Sequence, residues 1–157
     1  MLDLRAAPAD GAESRALWDE YMALVASRVQ GFRPSARIFA TPEAFTGPGT
    51  AWLVGYEGDL AVCCGGLRPL PEDGVCEIKR MFVSAAARRR GFARRLLTEL
   101  EAHAAALGYT RVRLFTTGVL VEAQALYAAT GYRVIDTIHD GGRIDIWLEK
   151  PLPPPAA

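Results

Sequence analysis

Cysteine and histidine are scarce in this chain: three of one and two of the other in 157 residues, with no C-x-x-C spacing or Cys/His cluster among them. That excludes a zinc module and a disulfide-stapled secreted scaffold, and no metal is expected. Cys63 and Cys64 stand side by side in one apolar run and Cys76 in another, the pattern of buried strand thiols. An excess of one charge is missing too, because 18 basic residues meet 18 acidic ones. A nucleic-acid-binding domain is usually basic as a whole and interleaved with aromatics, so no nucleic-acid partner is expected. Half the residues are apolar, yet Gly or charge breaks every apolar run well before the ~20 residues that a membrane span needs. No membrane partner is expected either. The start, MLDLRAAPAD, carries acids and lacks the basic opening and apolar core of a signal peptide, which places the protein in the cytoplasm.

What is present reads as one domain over residues 1–150, with PLPPPAA as a loose Pro-rich tail over 151–157. The periodicities predict a strand at Leu2–Arg5 and a helix from Pro8 to about Arg28. A loop follows from Val29 to Gly49, with a short helix near Pro42–Phe45. Strands at Ala51–Tyr56, Leu60–Leu67 and Val75–Val83 form a meander. Gly65 and Gly66 within it signal a bulge or a close approach by another group. The clearest helix is Arg88–Leu107, with Ala93, Leu96, Leu97, Leu100, Ala104 and Leu107 on one stripe and Gly108 stopping it. A strand at Arg111–Thr116, a helix at Val121–Thr130 and a hairpin of Tyr132–Thr137 with Arg143–Glu149 complete the order. The crossover between Val83 and Arg111 calls for a parallel pair within this otherwise antiparallel set. The fold class is therefore α/β, a mixed, mostly antiparallel sheet with helices on both faces.

Between Lys79 and Arg95 stand Lys79, Arg80, Arg88, Arg89, Arg90, Arg94 and Arg95, without one acid. A strand end, a short loop and a helix opening at Gly91 place free backbone N–H groups inside this positive field, the makings of a polyanion site. A solvated basic helix start is the plain alternative. The hexapeptide Arg88-Arg89-Arg90-Gly91-Phe92-Ala93 resembles the R/Q-x-x-G-x-G/A signature of the GNAT acetyltransferase superfamily. Glu122-Ala123-Gln124-Ala125-Leu126-Tyr127, running on to Gly131-Tyr132, resembles its A-x-x-L-Y-x-x-x-G-F/Y element. Together the resemblance covers about Leu53 to Leu148.

The resemblance implies a small stand-alone N-acetyltransferase that takes acetyl-CoA as co-substrate and passes its acetyl group to a primary amine of a small molecule or peptide. A non-catalytic acyl-CoA-binding module is the alternative, and a homodimer stays open. By the same resemblance, Arg88, Arg89, Arg90, Gly91, Phe92, Ala93 and Arg94 would bind the cofactor, with its pyrophosphate against the backbone amides of Arg89 to Ala93 and Arg88 or Arg94 holding a phosphate, and Met81, Phe82 and Val83 would pair with its pantetheine. A backbone N–H near Met81 or Phe82 would face the thioester oxygen. Glu77, six residues before Val83, matches the glutamate base of histone acetyltransferases, and strand alternation puts it on one face with Lys79, Met81 and Val83. An ion pair with Lys79, Arg80 or Arg68 is its structural alternative. Tyr127 matches the tyrosine that faces the cofactor sulfur. The family commonly places Asn where this chain has Leu120, and Thr116 or Thr117 could supply that polar contact.

Overall fold

The computed structural model describes residues 1–29, 31, 40–118, 120–140 and 143–154. Residues 30 and 32–39 of the expected Val29–Gly49 loop, Val119 in the turn after the fifth strand, the Gly141-Gly142 turn and the last three residues lie outside the described residues. In chain order the elements are β1 (Leu2–Ala6), α1 (Ala12–Arg28), a 3-10 turn (Pro42–Phe45), β2 (Ala51–Glu57), β3 (Leu60–Pro69) and β4 (Val75–Val83). A second 3-10 turn (Ala85–Ala87) leads to α2 (Phe92–Ala106), β5 (Arg111–Thr117), α3 (Val121–Ala129), β6 (Arg133–Asp140) and β7 (Arg143–Pro151).

The seven strands form one sheet in the order β1-β2-β3-β4-β5-β7-β6. Every neighbouring pair is antiparallel except β4 with β5, which run parallel across the α2 crossover, as the sequence predicts. Strand alternation splits the core into two layers. On β2, Leu53 joins a cluster with Leu96, Leu97 and Leu100 of α2 and Tyr127 of α3. Its neighbours Trp52 and Val54 join Leu17, Phe45 and Phe82 on the α1 side. Helices therefore cover both faces.

Two predicted boundaries move for local reasons. The α2 helix begins at Phe92 rather than Arg88, because Gly91 sits in the left-handed region (φ 79°) as its N-cap and Arg89 is also left-handed (φ 63°). The tail starts later than expected. Pro151 closes β7 opposite Arg111, and the Leu152 N–H donates to the Thr110 carbonyl at 2.8 Å.

The close approach signalled by Gly65 and Gly66 is real. A Cβ on Gly66 would stand 2.5 Å from Trp52 Cε3 and 2.6 Å from Phe45 Cδ1, within the cluster under α1. Opposite Gly65 the fourth strand bulges. Cys64 faces Phe82 and Gly66 faces Lys79, so Arg80 and Met81 together oppose one residue of β3, with Arg80 at φ 58°. We expect Gly66→Ala to cost about 1–3 kcal/mol through overpacking. That corresponds to a melting temperature lower by roughly 2–10 °C. A wild-type melting curve would show that the two rings have room to retreat.

Candidate active site

The parallel pairing of β4 and β5 is brief. It holds at Val75, Cys76 and Glu77 against Arg111, Val112 and Arg113, although the strands run on to Val83 and Thr117. Past that point they part, and a cleft of about 540 Å³ opens between them. Ile78–Val83 form one wall and Phe115–Thr117 the other, and the start of α2, the α3 residues Ala123, Leu126 and Tyr127, and the end of α1 close it. Met81, Phe82, Val83, Arg88, Arg89, Gly91, Phe92, Ala93, Arg94 and Tyr127 all reach this cleft. Two residues singled out in the sequence, Arg90 and Glu77, do not.

Arg90 is drawn away by β2. Its guanidinium makes a two-pronged ion pair with Glu57, with Nη1 to Oε1 at 2.6 Å, and lies 4.6 Å from the Phe92 ring centroid. Arg95 likewise serves the fold, donating from Nη1 to the Leu2 carbonyl at 3.1 Å. Arg88, Arg89 and Arg94 remain as the cationic wall, with Arg88 anchored by Nε to the Val83 carbonyl at 3.1 Å. The first intrahelical bond of α2 runs from the Arg95 N–H to the Gly91 carbonyl. The amides of Phe92, Ala93 and Arg94 precede it and have no partner within the helix. A Cβ on Gly91 would meet nothing within 4 Å, so this corner is open beside free amides and positive charge. Those features fit a pyrophosphate.

Glu77 lies on the sheet face opposite Met81 and Val83, contrary to the alternation expected from sequence. The bulge at Arg80 inserts one residue and reverses the alternation beyond it. Met81 and Val83 therefore pack with the α2 layer. Glu77 stands across from Arg68 and Arg113, fully buried. It accepts from Arg68 Nε at 2.9 Å and from Lys79 Nζ at 3.1 Å. Lys79 is the member of this chain that reaches the cleft, with Nζ 5.2 Å from the Phe115 ring centroid. Burial lowers the pKa of its ammonium against the opposing pull of Glu77.

Tyr127 is buried on the α3 side, its ring edge-on to Tyr132 at 5.8 Å. Tyr132 is fixed in turn by donating to Glu101 Oε2 at 2.6 Å. Burial raises the pKa of the Tyr127 hydroxyl well above its ordinary value. Leu120 also lines the cleft, and beside it Thr117 Oγ1 is buried without a hydrogen-bond partner among the described residues. Three further cleft residues carried no sequence signal. Tyr21 comes from α1, its hydroxyl pushed up to about 12 by burial. Asp145 is a buried carboxylate on β7 opposite Thr117. The third is Arg28, which ties the end of α1 to the start of α3 through Glu122, both contacts at 2.9 Å. The cysteines take no part in this chemistry: burial pushes Cys63 up to about 11 and Cys64 and Cys76 up to about 12, so their thiolates are suppressed.

Comparison with known proteins agrees with this geometry. The family model described as acetyltransferase (GNAT) matches residues 15–132. An Escherichia coli protein named uncharacterized N-acetyltransferase YjgM is 38% identical over 97 residues, covering 60% of this chain and 58% of its own length. The IAA acetyltransferase of Azospirillum brasilense is 34% identical over 108 residues, covering 67% of this chain and 70% of that one. Among solved structures, a GCN5-related N-acetyltransferase from Kribbella flavida superimposes with a TM-score of 0.75 at 22% identity, over 96% of this chain and 98% of that one. At that identity the likeness concerns the fold. The family model covers most of the chain, including both motifs, and the chain belongs to the acetyltransferase (GNAT) family.

Proposed function

We propose that this protein is an N-acetyltransferase that moves the acetyl group of acetyl-CoA to the amine of a small molecule or peptide by direct attack in a ternary complex. The observation that carries this reading is the parting of β4 from β5. One cleft brings together the open corner at Gly91, the exposed edge of β4 at its bulge, and Tyr127. The Phe92–Arg94 amides and the Arg88, Arg89 and Arg94 guanidiniums would bind the phosphates. Met81–Val83 would pair along the pantetheine arm, and Thr117 Oγ1 would supply the polar contact that Leu120 cannot. A backbone N–H at Met81 or Phe82 would donate to the thioester oxygen as negative charge develops there.

Two proton movements must accompany transfer, one from the acceptor's ammonium group and one toward the departing sulfur. Tyr127 serves the second, donating its hydroxyl hydrogen to the sulfur. Glu77 serves the first at one remove. Lys79 Nζ on the cleft wall takes a proton from the acceptor as it passes its own to Glu77 Oε2, the atom 3.1 Å away. Arg68 holds the glutamate in place.

An amine panel in an assay for thiol release from acetyl-CoA tests the whole reading. Acetyl-CoA binding with no thiol release from any amine would make the protein an acyl-CoA-binding module, the reading favoured by Glu77's position off the cleft. For Glu77→Gln we expect turnover to fall by roughly tenfold or more at pH 7, with the loss shrinking as pH rises and the acceptor arrives already neutral. The variant also leaves Lys79 and Arg68 without their carboxylate, so its melting temperature drops as well. A rate loss that stays constant across pH would assign Glu77 a purely structural role.

A further inference from the structure

Arg80 stands apart from the other buried and half-buried cations. Lys79 has Glu77 at 3.1 Å, Arg113 has Glu149 at 2.9 Å, and Lys150 has Glu101 at 3.1 Å. Arg80 is only 7% exposed, yet its Nε and Nη1 are buried without a hydrogen-bond partner among the described residues. The face of its guanidinium is well supported, with Trp18 3.6 Å and Trp52 5.7 Å from ring centroid to Cζ. Stacking satisfies the face of a guanidinium and leaves its in-plane N–H donors unanswered. The carboxylate whose charge reaches it, Glu43, is fully exposed on the first 3-10 turn. Burial accordingly lowers the pKa of Arg80.

Leaving a charged donor buried and unanswered is costly, and a non-glycine residue at φ 58° adds backbone strain. Both costs fall on the bulge residue itself, beside the Met81 and Phe82 amides proposed above to face the thioester. Residues 78–83 line the cleft there, and the Arg80 side chain leans toward α1 and the first 3-10 turn, away from the cationic phosphate wall of α2. A negative group of the acceptor would answer those donors. We infer that Arg80 is an acceptor-binding residue whose unpaired guanidinium donors recognise a carboxylate carried by the amine substrate, as in a free amino acid. The amine of an α-amino acid is two bonds from its carboxyl carbon, so an anchored carboxylate fixes the nucleophile next to the bulge. Tyr21, on the same cleft, offers aromatic surface, which suits an apolar or aromatic side chain.

This inference rests on the acyl-transfer reading, and its test separates the two. The probes are L-phenylalanine, L-leucine and L-methionine, each paired with its amide, which keeps the amine and side chain but removes the carboxylate. In thiol release from acetyl-CoA, we expect the free acids to exceed the amides in kcat/KM by about a hundredfold, the range of a charged hydrogen bond lost from a buried site. In Arg80→Met, which keeps the length of the stem and removes the charge, that preference collapses toward unity, mainly through the KM of the acid. Binding is read separately by melting temperature with excess L-phenylalanine, which rises for the parent protein and not for Arg80→Met. The variant alone melts no lower than the parent, because an unanswered buried charge has been removed. Should amides be turned over as fast as acids, or should Arg80→Met melt far lower while keeping the acid preference, Arg80 is a structural residue and the inference fails while acyl transfer stands. If no amine releases thiol, acyl transfer fails; the L-phenylalanine melting shift and its loss in Arg80→Met then still decide the Arg80 site.

Discussion

Acetyl-CoA is expected to raise the melting temperature of the parent protein and to leave Gly91→Glu unchanged. Ligand at a hundred times its dissociation constant contributes about 2.7 kcal/mol. In a protein of this size that is roughly 5–10 °C. Gly91 has no neighbour within 4 Å of an added Cβ, so the new side chain would enter the open corner rather than clash with protein. There its carboxylate would lie among the amides at the start of α2, where it takes the hydrogen bonds meant for phosphate and repels it. Backbone strain is the competing explanation, since Gly91 has φ 79° and any side chain there costs about 1–2 kcal/mol. Gly108 supplies the control. It stands at the other end of α2 with φ 93°, also has nothing within 4 Å of an added Cβ, and is away from the cleft. Gly108→Glu should therefore melt somewhat lower than the parent and keep the full acetyl-CoA shift. A full shift in folded Gly91→Glu as well would remove the phosphate site from α2.

How far the sequence carries can be judged on β4. Its limits, Val75 and Val83, are those that a Pro-free run between a Gly turn and a basic loop predicts, and the 3-10 turn at Pro42–Phe45 was equally legible from its proline. The bulge was legible only in part: Gly65 and Gly66 signal an irregularity on β3, but not that the extra residue lies on β4. It places an arginine, not a glycine, at positive φ, and a one-residue slip leaves no trace in composition. Alternation counted from Val83 therefore put Glu77 on the wrong face. The basic run hid a similar division. Whether Arg88 or Arg90 turns into the cleft depends on Glu57, which lies 33 residues before Arg90 on another strand. Asp145 was invisible for a related reason: an acid alternating along β7 looks like a solvated strand residue until β5 and β7 bring it beside Thr117. What the sequence carried well was the pair of motifs, because each fixes a local turn or helix start. Long-range ion pairs and register slips decide which of their side chains work in the cleft.

Tyr127→Phe is expected to lower turnover by roughly a hundredfold or more while leaving acetyl-CoA affinity nearly the same. The substitution keeps the ring, its edge-on contact with Tyr132 at 5.8 Å and its place in the core. A purely structural hydroxyl would therefore take with it about 0.5–1.5 kcal/mol of stability and little activity. An ordinary tyrosine, with a pKa near 10, is already a weaker acid than a thiol near 8.5, so full proton transfer to a thiolate runs uphill by about 2 kcal/mol. Burial raises the Tyr127 hydroxyl further, and it opposes the neighbouring thiolate for the same reason. The hydroxyl then acts chiefly by hydrogen bonding to the sulfur while charge collects there, with the proton following as the bond to the acyl carbon breaks. Two consequences distinguish this from misplacement of the thioester. Because the folded-state pKa is raised, the hydroxyl stays protonated through neutral and moderately alkaline pH, and the parent protein shows no loss of rate from its ionisation there. A donor whose leaving thiol is more acidic needs less help, so it should recover part of the rate lost in Tyr127→Phe. Near-normal turnover of the variant with acetyl-CoA would remove the hydroxyl from the reaction, and an equal loss with both donors would show that Tyr127 places the thioester rather than assisting its departure.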